Sequence, residues 1–189
     1  MEVKVDGRAL RSVRSRQQII DAMLALMERE IYIPTAQQVA DEAGISIRTV
    51  FRHFTEMELL YAELNSQVRP VYEALFNKMP VEGSLEERLT GSVRCRMEAF
   101  AQLIQLQRAT WSLLWRSQVI SDVYASNVRK MRKNLEKCLP EILQLPADKR
   151  EAVDAIMSFE FYERLSRHQK LSDKACGRVV EGLLKDLLT

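Results

Sequence analysis

The stretch from Thr35 to Phe54, TAQQVADEAGISIRTVFRHF, constrains the fold more than any other part of this chain. It predicts two short helices joined by a tight turn. Pro34 precedes Thr35 and Gln38 follows three residues on, so hydroxyl and amide can cap each other's backbone N–H groups reciprocally. Val39, Ala40 and Ala43 then face inward, and Ala40 is small enough for a second helix to cross closely. Gly44 can take the left-handed conformation that ends the first helix without a Cβ clash. Ile45 fills the corner, Ser46 caps the second helix, and Val50 and Phe54, four apart, mark its buried side. Its other side carries Ile47, Arg48, Thr49, Arg52 and His53. This is the pattern of a helix-turn-helix, whose second helix fits the major groove of DNA.

The flanking sequence supplies further helices. Ile19, Ile20, Met23, Leu26 and Met27 recur at helical spacing and predict a bracing helix from Ser15, where Gln18 completes a capping box, to about Glu30. Thr55 and Glu58 form another such box, opening a helix that carries Leu59, Leu60 and Leu64 toward the core and kinks or restarts near Gln67 to Arg69, before Pro70. After a turn at Pro80 to Gly83, Ser84 and Glu87 cap a long helix bearing Leu85, Leu89, Val93, Met97, Phe100 and Ile104. Ser121 with Asp122 opens a helix through Leu135, and Pro140 and Pro146 bracket its end. Asp148 and Glu151 cap a helix bearing Val153, Ile156, Phe159, Tyr162 and Leu165, and Ser172 starts a last one bearing Val179, Val180, Leu183, Leu184 and Leu187. Six glycines and five prolines in 189 residues leave little that is not helical, so the predicted class is all-α.

Composition narrows the function classes. No apolar run approaches the roughly 20 residues of a membrane span, and the N-terminus has no apolar leader core, which predicts a cytoplasmic protein. Cys95, Cys138 and Cys176 are scattered without C-x-x-C spacing and read as buried reduced thiols. With His53 and His168 the only histidines, no metal site is expected. No nucleophile with its base, acid pair or glycine-rich phosphate loop stands at interpretable spacing, so neither an enzyme nor a cofactor is expected. The formal charge of +2 says little alone, but residues 1 to 16 hold Lys4, Arg8, Arg11, Arg14 and Arg16 against Glu2 and Asp6. They read as a mobile basic arm for phosphates or the minor groove, or as a solvated tail.

The order and spacing of the amphipathic first helix, T-x-x-x-V-A-x-x-A-G-I-S, TVFRHF and ELLYAEL resemble the tetracycline-repressor (TetR) family over about the first 65 residues. The resemblance implies all-helical homodimers that bind a pseudo-palindromic operator with the N-terminal three helices, sense a small effector in the C-terminal part, and pair through the two C-terminal helices as a four-helix bundle. It implies a division into 1–54 (arm and helix-turn-helix), 55–83 (connecting helix and turn) and 84–189 (regulatory and dimerisation part). By match to the family motif, Gln37, Gln38, Ser46, Ile47, Arg48, Thr49 and Arg52 are the candidates for DNA contact. Arg48 or Arg52 suits guanine, Gln37 adenine, and Ile47 a thymine methyl, while Thr35, Thr49 and His53 suit phosphate. Two positions depart from the pattern: Phe51 stands where a tyrosine is usual and Met57 where a lysine is, removing two phosphate ligands.

An effector cavity is expected between the helix from Ser84 and its successors, lined by some of Phe100, Leu103, Trp111, Trp115, Tyr124, Phe159 and Tyr162. Arg94 and Arg96 can meet an anionic ligand there or lie at the surface. The competing class is a helical interaction protein that keeps the fold without specific DNA binding, as Phe51 and Met57 would allow.

Overall fold

The computed structural model describes residues 7–188 and is all-helical. In chain order the α-helices are α1 (Gly7–Glu28), α2 (Ala36–Ala43), α3 (Ile47–His53), α4 (Met57–Phe76), α5 (Leu85–Leu113), α6 (Gln118–Cys138), α7 (Ala147–Ile156), α8 (Phe159–Glu163) and α9 (Asp173–Leu188). A 3-10 turn occupies Pro140–Gln144, and a π-helical turn, Arg164–His168, continues α8. No helix among the described residues is long and apolar enough to cross a membrane.

The chain forms two compact units, with the division falling inside α4, α5 and α6. The first takes the chain through Val68 together with Gln105–Tyr124. Its core sets Ile19, Ile20, Met23, Leu26 and Met27 of α1 beside Val39, Ala40, Val50, Phe54, Leu60 and Leu64, all buried. Residues 105–124 are tied in by polar contacts: Tyr32 donates to Gln105 Oε1 at 2.8 Å, Tyr61 Oη donates to the Leu106 carbonyl at 3.2 Å, and the Ser117 hydroxyl donates to Glu58 at 2.8 Å.

The second unit holds Arg69–Ile104 and the chain from Ala125 on. Its core joins Phe76, Leu89, Val93, Met97 and Phe100 to Leu135, Leu139, Val153, Phe159, Tyr162, Val180 and Leu184. Gly91 lets α5 approach Pro80 so closely that a Cβ would come within 2.5 Å of the proline ring. Two buried arginines lock the packing. Arg88 bonds the Cys138 carbonyl at 2.8 Å and Glu141, and Arg96 donates to the carbonyls of Met157 (2.7 Å) and Met131. Cys95, Cys138 and Cys176 are buried and free.

Several boundaries differ from the sequence reading, each for an identifiable reason. Helix α1 starts at Gly7, not Ser15, because Arg8 to Arg14 contain no helix breaker. The basic segment from Arg8 to Arg16 is therefore helical, not a mobile arm, while Lys4, Glu2 and Asp6 lie outside the described residues. Helix α4 starts at Met57, two residues after the expected Thr55 cap, and Leu59 is 44% exposed instead of core. It continues through Pro70 without a restart. Helix α6 begins at Gln118, ahead of Ser121, because the Ser117 hydroxyl accepts from the Ile120 backbone N–H. The helix expected from Asp148 through Leu165 is broken at Met157, where Ser158 opens α8 by accepting from Phe161 N at 3.2 Å.

Candidate functional site

The helix-turn-helix is set by local chemistry. Thr35 Oγ1 accepts from Gln38 N at 3.2 Å while Gln38 Oε1 accepts from Thr35 N at 2.9 Å, the reciprocal cap expected. At the other end of α2, Gly44 adopts φ 64°, and the N–H groups of Gly44 and Ile45 reach back to the carbonyls of Asp41 (3.2 Å) and Ala40 (3.0 Å). A Cβ on Gly44 would meet nothing within 4 Å, so the left-handed backbone, not crowding, calls for glycine. Ser46 then starts α3, its hydroxyl accepting from Thr49 N at 3.3 Å.

With Val50 and Phe54 fully or almost fully buried, the remaining residues of α3 have fixed directions. Arg48 and Arg52 are exposed and pair with no carboxylate among the described residues. Ile47 and Phe51 are exposed large hydrophobics. Thr49 is half-buried and shares a 3.0 Å hydrogen bond with the Ser46 hydroxyl. Among the α2 candidates, Gln37 donates to Asp41 at 2.7 Å and Gln38 is engaged in the cap.

His53, at the end of α3, is half-buried, and its Nε2 has no hydrogen-bond partner among the described residues. Burial, then the guanidiniums of Arg52 and Arg16, holds its pKa below the ordinary 6.5, so the ring is neutral at pH 7. Arg16 itself lies over the Phe54 ring at 4.4 Å and pairs with Glu63 at 3.1 Å, bracing α3 against α1 and α4. This bracing role carries no motif that a reader of the sequence could find.

The candidate effector residues divide between the two units. Trp111, Trp115 and Tyr124 belong to the first, where Trp115 is 81% exposed. Phe100, Leu103, Phe159 and Tyr162 belong to the second and are buried. There Phe100 packs edge-on against Phe159 at 5.7 Å and Phe76 at 6.4 Å, and lies tilted against Tyr162 at 5.8 Å. Tyr162 donates to Asp173 at 2.8 Å, and burial followed by that carboxylate raises its pKa. A cavity of about 430 Å³ in this unit lies elsewhere, lined by Leu85, Glu86, Leu89, Lys185 and Leu188. Arg94 is exposed, but Arg96 is buried beside Phe76, its Nε without a hydrogen-bond partner among the described residues, and burial lowers its pKa to about 10, so it stays charged. No cluster of metal-binding side chains occurs among the described residues.

Neither a family model nor a curated protein matches the sequence. Solved structures do match the fold. A transcriptional regulator from Rhodococcus superposes with a TM-score of 0.73 at 13% identity, covering 92% of this chain and 95% of that one. A candidate TetR-family regulator from Mesorhizobium loti gives 0.66 at 19% identity, covering 94% and 96%. A candidate regulator from Pseudomonas aeruginosa gives 0.65 at 18%, covering 92% and 89%. The chain therefore has an all-α fold resembling that of TetR-like transcriptional regulators across nearly its whole length.

Proposed function

We propose that the protein is a sequence-specific DNA-binding transcriptional regulator, a homodimeric repressor released from a pseudo-palindromic operator by a small effector. The observation that carries the reading is the outer face of α3: Ile47, Arg48, Phe51 and Arg52 are exposed on a helix capped by Ser46 and seated by Val50 and Phe54. Two guanidiniums that pair with no carboxylate among the described residues suit guanine edges or phosphates, and the small footprint of a seven-residue helix suits a major groove. In this reading Arg48 and Arg52 contact bases, and Thr49 and a protonated His53 hold phosphate. Thr35, Gln38 and Ser46, whose side chains cap helices, contribute chiefly by fixing the register of α2 and α3. Gln37 reaches a base after exchanging its bond to Asp41. The helical N-terminal segment presents Arg8, Arg11 and Arg14 to the phosphate backbone.

The division into 1–54, 55–83 and 84–189 belongs to the same proposal, with the last segment serving regulation and dimerisation. Val179 and Leu183, 37% and 38% exposed on α9, support pairing through the C-terminal helices. An effector preferring the conformation with separated reading heads lowers operator affinity by its differential affinity for the two states. Its site is proposed to draw on Phe100, Leu103, Phe159 and Tyr162 of the second unit.

Selection from a random duplex library tests the reading: one enriched pseudo-palindromic sequence is expected. Uniform, sequence-independent recovery would favour the helical interaction protein instead, for which the exposed Phe51 is equally suited.

A further inference from the structure

The polar contacts proposed for α3 leave one edge of its outer face unused. At about 3.6 residues per turn, burial of Val50 and Phe54 sets Arg48 and Arg52 opposite the core, Thr49 and His53 along one flank, and Ile47 and Phe51 along the other. Ile47 is 38% exposed and Phe51 46% exposed, one helical turn apart on a helix of seven residues. Exposed pairs of large apolar side chains are held against water at a cost, and here they adjoin two guanidiniums that match a polyanion in charge. Inside the major groove of DNA the apolar group is the C5 methyl of thymine.

We propose, resting on the DNA-binding reading above, that Ile47 and Phe51 form a two-residue thymine-methyl reader. The four-residue separation is about 6 Å along the helix axis and a base step rises about 3.4 Å. For a helix lying along the groove, each half-site then carries two thymine methyls about two base steps apart, beside the bases contacted by Arg48 and Arg52. Phe51 thus reads sequence at a position where the resembled family's tyrosine holds a phosphate.

The test uses the full chain and the duplex enriched from a random library, resynthesised with deoxyuridine for thymine at one position at a time, which removes a methyl and nothing else. Two positions per half-site should each lose about fourfold in affinity, the value of one buried methyl group. Ile47→Ala should abolish the thymine preference at one of them and Phe51→Ala at the other, with helical circular dichroism unchanged because both side chains are exposed. Uracil tolerated throughout the half-site by a protein that still selects its sequence would overturn the methyl reader and leave the DNA-binding reading standing. Methyl dependence that persists undiminished in both variants would also overturn it. Failure to enrich any sequence would remove the DNA-binding reading and this inference with it.

Discussion

The helix-turn-helix and the aromatic core of the second unit solve their polar problems over different lengths of chain. In α2 and α3 the bonds that matter join residues three to five apart: Thr35 with Gln38, Ala40 with Ile45, Ser46 with Thr49. In the second unit, Arg96 satisfies the Met157 carbonyl 61 residues away and the Met131 carbonyl 35 away, and Arg88 reaches Cys138 across 50. A surface that presents arginines outward can be built from local rules. A core that encloses arginines has to recruit its partners from distant helices, and loses more when one is removed.

The largest expected effect tests that difference. Arg96→Met removes two donors at once and leaves the Met157 and Met131 carbonyls buried without them. It should lower unfolding stability by about 2–4 kcal/mol in chemical denaturation, with hydrogen-exchange protection lost first in the second unit. A loss under about 1 kcal/mol would mean that the long-range bonds are incidental.

Gly44→Ala strains a φ of 64° without any steric clash, so its cost should be the backbone's alone, about 1–2 kcal/mol by the same denaturation measurement. An unchanged midpoint would show that the turn does not need its left-handed residue. Thr35→Ala, which deletes only the side-chain half of the cap, should cost about 1 kcal/mol.

The smallest effect is a pH dependence. His53 has a pKa below 6.5 in the free protein, and a phosphate beside it would favour the imidazolium, so the complex has the higher pKa and binding takes up a proton. Operator affinity should rise as pH falls through the complex's higher pKa toward the free-protein pKa, then level off once both states are protonated. His53→Gln should flatten the profile, and a wild-type profile that is flat to begin with would take His53 out of the interface.

The same contrast explains which features were legible in the sequence. Capping pairs at Thr35, Ser46, Ser84 and Ser172 read correctly because each hydroxyl's partner lies three residues on. Similar pairs at Thr55 and Asp148 misled, since their acidic members are taken by distant groups: Glu58 accepts from Ser117 and Glu151 pairs with Arg132 at 2.6 Å. Ser15 looked like a helix start because Gln18 stands three residues on, as in a capping box, yet nothing in Arg8 to Arg14 interrupts a helix. The exposed side of α3 followed from its buried one, Val50 and Phe54. The burial of Arg96 had no local signature, because what holds it arrives from α6 and from Met157, the residue that caps the end of α7.

The central claim, that the outer face of α3 reads bases, is tested most directly by Arg52→Ala against the selected duplex and a scrambled one. The account predicts a loss of about 1–3 kcal/mol on the selected sequence, with relaxed preference at a single position and little change on the scrambled duplex. Equal losses on both, or none on either, would contradict it.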